Sequence, residues 1–196
     1  MNRITASVPA PQDAHDVAAI WALLEAVTDP EIPVVNLREM GILREVRQGA
    51  AGLEVVITPT YSGCPAMAQM EADVAAALAA AGITARVVTQ LAPAWTTDWM
   101  SVEARNKLRA YGIAPPVRNA GAAAGGVAQQ THVMRFAPRQ SSVSGLRQGL
   151  SAQDAVPCPQ CGSDNTTEIS HFGSTACKAL YRCLQCREPF DYFKPY

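Results

Sequence analysis

The chain has 196 residues, 48% of them hydrophobic and 17% charged, with a formal net charge of −1. That length accommodates one ordinary domain and a small second one. The near-neutral charge excludes a general attraction to nucleic acid or to an anionic membrane, and no apolar run approaches the roughly 20 residues that span a bilayer.

Residues 1–13, punctuated by Pro9 and Pro11, read as a disordered lead without the apolar centre of a signal peptide. A reducing cytoplasm is the expected compartment, where paired cysteines mean metal more often than disulfide. A helix is expected over Ala14–Thr28, because Val17, Ile20, Trp21, Leu24 and Val27 form one apolar stripe. It stops at Asp29-Pro30-Glu31-Ile32-Pro33, where each proline pushes the preceding residue out of the helical region. Asp29 and Glu31 read there either as a rigid, solvated turn or as polar groups held stiffly beside a site. Asn36–Gly41 suggests a single helical turn closing on glycine. Ile42–Arg47 and Leu53–Thr58 read as an antiparallel strand pair.

The stretch Thr58-Pro59-Thr60-Tyr61-Ser62-Gly63-Cys64-Pro65 joins this second strand to a helix that runs to about Gly82. Pro65 suits the first helical position. Cys64 would then face free backbone N–H groups at a helix N-terminus, which favours the thiolate, the nucleophilic and metal-binding form. The bland alternative is a small buried residue at a strand–helix junction. Ile83–Leu91 reads as a further strand, Trp95 and Trp99 as packing residues, and Ser101 as the cap of a last helix ending at Gly112. The order helix–strand–strand–helix–strand–helix gives a small α/β (α+β) domain over residues 14–118, with one layer of sheet and one of helices. Residues 119–156, rich in Ala, Gly, Gln and Ser, read as a flexible linker.

Cys158-Pro159-Gln160-Cys161 and Cys183-Leu184-Gln185-Cys186 are two C-x-x-C knuckles. Four thiolates on two tight turns can close a tetrahedral site around Zn²⁺, with three short strands between and after them: a zinc ribbon over residues 157–196. An iron–sulfur cluster on the same thiolates is chemically open. Cys177 and His171 lie between the knuckles and read as packing or exposed residues, since four thiolates already satisfy the metal. Four Lys/Arg balance four Asp/Glu in the ribbon, against a nucleic-acid module. A thiol oxidoreductase using Cys64 would need a resolving thiol, for which Cys177 is a candidate across a linker of unknown span. Glu-x-x-His pairs on helices, of the sort that build di-iron carboxylate sites, are missing, as is a glycine-rich dinucleotide loop.

Several stretches together resemble one family. Asp29-Pro30-Glu31-Ile32-Pro33-Val34, Thr60-Tyr61-Ser62-Gly63-Cys64-Pro65, Pro93-Ala94-Trp95-Thr96-Thr97-Asp98-Trp99, Tyr111-Gly112-Ile113-Ala114-Pro115-Pro116 and Phe172–Cys183 leading into Glu188–Lys194 are similar to the PaaD family of phenylacetate-degradation proteins. That family falls within the wider SufT-like group of iron–sulfur assembly domains. The resemblance covers about residues 14–118 and 157–196. It implies a small cytoplasmic accessory factor, without turnover of its own, that helps mature a metal centre of the multicomponent phenylacetyl-CoA epoxidase. Cys64 matches the family's functional cysteine, and Asp29 its acidic residue, with Glu31 beside it. Transient iron or an iron–sulfur cluster is the implied cargo, and the epoxidase subunits and the iron–sulfur assembly machinery are the implied partners. The alternative is a structural subunit of the epoxidase without metal transfer.

Overall fold

The computed structural model describes residues 16–117 and 155–196. The lead over 1–13 and nearly all of the linker over 119–156 lie outside the described residues.

Helix α1 (Val17–Leu24) starts at Asp16, whose Oδ1 accepts the Ala18 N–H at 2.9 Å. It is shorter than its apolar stripe suggested. The chain leaves the helix and folds back on itself: Leu37 N–H donates to Val27 O and Asp29 N–H to Val35 O, both at 3.0 Å. This closes a compact loop around Asp29–Val35. The turn after it is a reciprocal cap, in which Asn36 Oδ1 accepts the Glu39 N–H at 2.7 Å and Glu39 Oε2 accepts the Asn36 N–H at 3.1 Å. Gly41 ends that turn at φ +71°, and a Cβ there would lie 2.7 Å from the Trp99 carbonyl oxygen, so both conformation and space demand glycine.

Strands β1 (Leu43–Gly49) and β2 (Gly52–Ile57) pair antiparallel, and β3 (Ala85–Thr89) pairs parallel to β2. Helix α2 (Met67–Ala80) makes the crossover between β2 and β3. It buries Met70, Val74 and Leu78, a stripe at four-residue spacing. These side chains join Ile20 and Leu24 of α1 and Leu53, Val55 and Ile57 of β2 in one core. Glu54, on the opposite face of β2, pairs with Arg47 of β1 and Arg86 of β3. After a 3₁₀ turn (Thr97–Trp99), α3 (Val102–Ala110) is capped by Ser101 Oγ, which accepts the Ala104 N–H at 2.9 Å. Trp95 and Trp99 are packing residues, as expected. Trp95 is buried with its Nε1–H donating to Met40 O at 3.0 Å, and the Arg44 guanidinium lies 3.3 Å from the centre of a Trp99 ring.

The end of this unit is not free of the C-terminal one. Strand β4 (Ile113–Ala114) leaves α3 and pairs parallel to β7 (Pro189–Phe193), which continues antiparallel to β6 (Lys178–Cys183) and then to β5 (Thr166–Ser170). The four-stranded sheet β4-β7-β6-β5 therefore contains chain from both units. Phe193 and Cys177 are buried in the core of the N-terminal unit, and the Phe193 ring centre lies 6.0 Å from that of Trp95. Tyr196 adds to this seam. Its carbonyl oxygen accepts the Thr97 N–H at 3.2 Å, and its ring stacks on Tyr61 at 6.5 Å.

Burial of Phe193 sets a clear expectation. Phe193→Ala removes the side chain that enters the partner core and lowers the unfolding free energy by about 3–5 kcal/mol. Chemical denaturation checks this, and loss of the Trp95 near-ultraviolet signal should accompany it.

Candidate functional site

The loop Thr58–Ala66 runs from β2 into α2, and Cys64 stands near its end, half-buried. Helix α2 begins at Met67 rather than at Pro65, so the proline lies in the turn before the helix. The thiol does meet backbone N–H groups, those of Ala66 and Met67, and these favour the thiolate. They do not prevail. Burial pushes the Cys64 thiol up from its ordinary value, and the negative charges of Glu31 and Asp29 add to the rise. The expected thiolate at a helix terminus is thus overturned by desolvation and two carboxylates.

Those carboxylates come from the closed loop after α1. Asp29 is buried, not solvated as a turn residue would be, and its Oδ1 accepts the N–H groups of Glu31 at 2.7 Å and Ile32 at 3.0 Å. Burial raises its carboxyl above the ordinary range, opposed by the two N–H groups and by Lys178. Glu31 is also raised, by burial and then by the neighbouring Asp29, while Lys178 and a hydrogen bond with Thr175 oppose the shift. Asp29 fixes the loop, and Glu31 is the more exposed of the two charges beside Cys64.

The ribbon supplies the other wall. Thr175 and Lys178 both lower the Glu31 carboxyl, and Lys178 lowers that of Asp29 as well. Cys177 is buried, its Sγ 3.0 Å from Thr175 Oγ1, and burial followed by Glu31 raises its thiol. Lys178 is buried with its Nζ 3.8 Å from Asp191 Oδ2. Burial raises the Tyr61 hydroxyl, and Cys64 and Cys177 add to the rise. Beside the Cys64 loop, a groove of about 350 Å³ is lined by Thr60, Tyr61, Leu91, Trp95 and Tyr196. Sequence reasoning placed Cys64, Asp29 and Glu31 together but missed Thr175, Lys178, Tyr61 and Tyr196. It read Cys177 as packing or exposed, and Cys177 is buried in the core.

The second cluster lies in the ribbon. The Sγ atoms of Cys158, Cys161, Cys183 and Cys186 all fall within 4.8 Å of one another, and among the described residues this is the one group of three or more such ligands. Cys158 Sγ and Cys186 Sγ are 3.8 Å apart, and Cys161 Sγ and Cys183 Sγ 3.6 Å. A tetrahedron with Zn–S arms of about 2.3 Å has edges of about 3.8 Å, so the donor set fits such an ion. Gly162 at φ +73° and Arg187 at φ 68° each follow the second cysteine of a knuckle and turn the chain back. Cys177 and His171 stand outside this set, as expected.

The helix-and-sheet domain that carries Cys64 and the four-cysteine ribbon docked on it are each matched by a family model, and together these make the class an iron–sulfur-assembly-type domain with a zinc-type ribbon. Residues 17–89 match the family model described as iron–sulfur cluster assembly protein, and residues 143–194 match the PaaD zinc beta ribbon domain. The latter match begins within the stretch read as linker. Over 94% of its length the chain is 45% identical to an Escherichia coli K12 protein named as a putative 1,2-phenylacetyl-CoA epoxidase subunit, covering 94% of that protein too. The chain belongs to this PaaD family of epoxidase subunits. Among solved structures, a Bacillus anthracis domain of unknown function, DUF59, is 28% identical with a TM-score of 0.43, covering 47% of this chain and 90% of its own. A Mycobacterium tuberculosis protein, described as associated with Fe–S complex assembly and repair, is 25% identical with a TM-score of 0.29, covering 54% and 98%. Among the described residues, no helix is long and apolar enough to cross a membrane.

The carboxylates give the Cys64 thiol a testable reactivity. Its rate of alkylation by iodoacetamide should rise with pH through a midpoint above the ordinary thiol range. In Glu31→Gln, which removes one negative charge, that midpoint should move down. Mass spectrometry of the Cys64 peptide across a pH series measures both.

Proposed function

We propose that this protein is an accessory factor of the phenylacetyl-CoA epoxidase that handles iron or an iron–sulfur cluster through Cys64 while a metal centre of the complex is matured. Membership of the PaaD family of epoxidase subunits supports the association with that complex. The observation that carries the metal-handling role is the placement of Cys64: a half-buried thiol at a strand–helix junction, with Asp29 and Glu31 near enough to shift its ionisation. A thiol with one or two carboxylates offers too few ligands to retain a metal permanently, which suits an ion that is passed on.

The residues divide the work. Cys64 binds the cargo by giving up its thiol proton, a loss that a metal ion drives even where burial opposes it. Glu31 is the carboxylate placed to add a second, harder ligand or to take that proton. Asp29 holds the loop in shape through its two backbone acceptor bonds and stays in the turn. The groove along Tyr61, Leu91 and Trp95 offers an apolar surface beside the thiol where a client segment can lie. In the ribbon, Cys158, Cys161, Cys183 and Cys186 would hold structural Zn²⁺, which supplies no redox chemistry and cross-links the two knuckles. Epoxidase subunits are the clients, and the iron–sulfur assembly machinery is the source of the cargo. The cytoplasm is its place of action.

The decisive measurement is the iron content and turnover of the epoxidase complex isolated from cells carrying this chain or its Cys64→Ala variant. An assembled but iron-poor, inactive oxygenase is the expected result. Unchanged iron and turnover would leave a structural subunit without metal transfer. The zinc assignment has its own check. One equivalent of zinc should co-purify with the full chain, and a strong chelator should remove it together with the β-sheet signal of the ribbon, because so small a unit folds through its metal.

A further inference from the structure

A second cavity, of about 280 Å³, lies against the ribbon sheet and shares only Tyr196 with the groove beside Cys64. Its shape follows from the strand register. Ala179 on β6 stands directly opposite Tyr192 on β7, and Tyr181, two residues along β6, projects from the same face. A methyl group beside two tyrosine rings leaves a hollow, with the buried alanine as its floor. The rings of Tyr181 and Tyr192 meet edge to face at 5.3 Å and make two walls, and exposed Tyr196 makes a third. Glu168, the β5 partner of Tyr181, adds a carboxylate to the lining. Its Oε2 accepts the Tyr181 hydroxyl at 3.2 Å, and its Oε1 lies 3.6 Å from His171 Nδ1, too far for a hydrogen bond. An ionised carboxylate has about four acceptor positions, so one such bond leaves most of its capacity for a ligand. Burial and the Glu168 charge push the Tyr181 hydroxyl up to about 12, which keeps it a donor at neutral pH. Lys194 also lines the cavity, but its charge is engaged elsewhere. Its Nζ donates to His171 O at 3.3 Å and stands 4.8 Å from the centre of the Phe172 ring.

We propose that this cavity receives a single arginine side chain from a partner protein. Its volume falls below the roughly 300 Å³ at which pockets for cofactors and drug-sized molecules begin, and it suits one long side chain. Charge and shape select which one. The tyrosine rings present π faces on which a guanidinium stacks, and the Glu168 carboxylate accepts its fork of N–H donors. Lysine fits less well, because its ammonium is a compact, strongly hydrated charge that does not stack or bond in a fork. A neutral side chain of the same shape leaves the carboxylate without a charged partner. Arginine held among aromatic walls is also a combination that carries much of the energy of protein interfaces. The site stands apart from Cys64, and the inference does not rest on the metal-handling reading. It gives the ribbon a recognition surface of its own, beyond its four-cysteine cluster.

N-acetyl-arginine amide is the probe, titrated into the full-length, zinc-loaded chain with its tyrosine rings isotopically labelled for NMR. The ring signals of Tyr181, Tyr192 and Tyr196 should shift together and saturate. The citrulline analogue, a neutral side chain of nearly the same shape, should bind at least about tenfold more weakly, the usual loss when a charge-assisted hydrogen bond is removed. The lysine analogue should fall between the two. Glu168→Gln should weaken arginine binding by about the same factor as the citrulline exchange, with zinc retention reporting that the ribbon stays folded. The comparison of arginine with citrulline needs no variant, so it holds even if Glu168→Gln folds poorly. Citrulline binding as tightly as arginine overturns the inference, because the cavity then reads shape alone. A folded Glu168→Gln protein that binds arginine like wild type overturns it as well. So does the absence of any saturable shift at the three tyrosines, and in each of these cases the Cys64 reading is untouched.

Discussion

The parallel contact between β4 and β7 is two residues long on the β4 side, yet the candidate site depends on it. Two backbone pairs alone would not hold a domain in place. The ladder is held by the aromatic residues at the end of β7 and beyond it: Phe193 enters a core made by α1, β2 and α2, and Tyr196 closes over Tyr61. A fully buried aromatic contributes about 1.5–3 kcal/mol, more than a net hydrogen bond of about 1 kcal/mol. The hydrophobic anchor therefore supplies most of the adhesion, and the ladder sets the register. With β7 fixed, β6 is fixed beside it, and Lys178 at its start and Cys177 just before it are held buried at the seam. A cross-linked ribbon matters for the same reason. Without rigid knuckles, the β6–β7 pair would have nothing to transmit the position of Phe193 to Cys177.

Charge explains why so polar a seam can be buried. Lys178 lies 3.8 Å from Asp191 Oδ2, and its positive charge also lowers the carboxyls of Asp29 and Glu31. Asp29 commits its Oδ1 to two backbone N–H groups, so its burial is compensated locally. Glu31 has the weaker support, a hydroxyl from Thr175 and a shared cation. That difference separates a loop-shaping carboxylate from one available to a ligand. It also accounts for the raised Cys64 thiol: the helix-terminal N–H groups are present, but fixed negative charge and lost water outweigh them. The resting thiol is held in its protonated form, and a metal that displaces the proton changes the net charge of the seam.

Much of this could be read from the sequence because the signals were local. The apolar stripe of α1, the β1–β2 hairpin, the Ser101 cap and the paired knuckles each follow from residues a few positions apart. The resemblance carried by Asp29–Val34 and Thr60–Pro65 singled out Cys64 and Asp29, which the fold leaves half-buried and buried. What the sequence hid was long-range. Nothing in Tyr111-Gly112-Ile113-Ala114 says that its last two residues will pair with Asp191 and Tyr192. The linker reading concealed this further, since a flexible tether predicts no preferred docking. The misplaced start of α2 and the expected thiolate share one cause: a local rule for helix termini was applied without the carboxylates that tertiary structure adds.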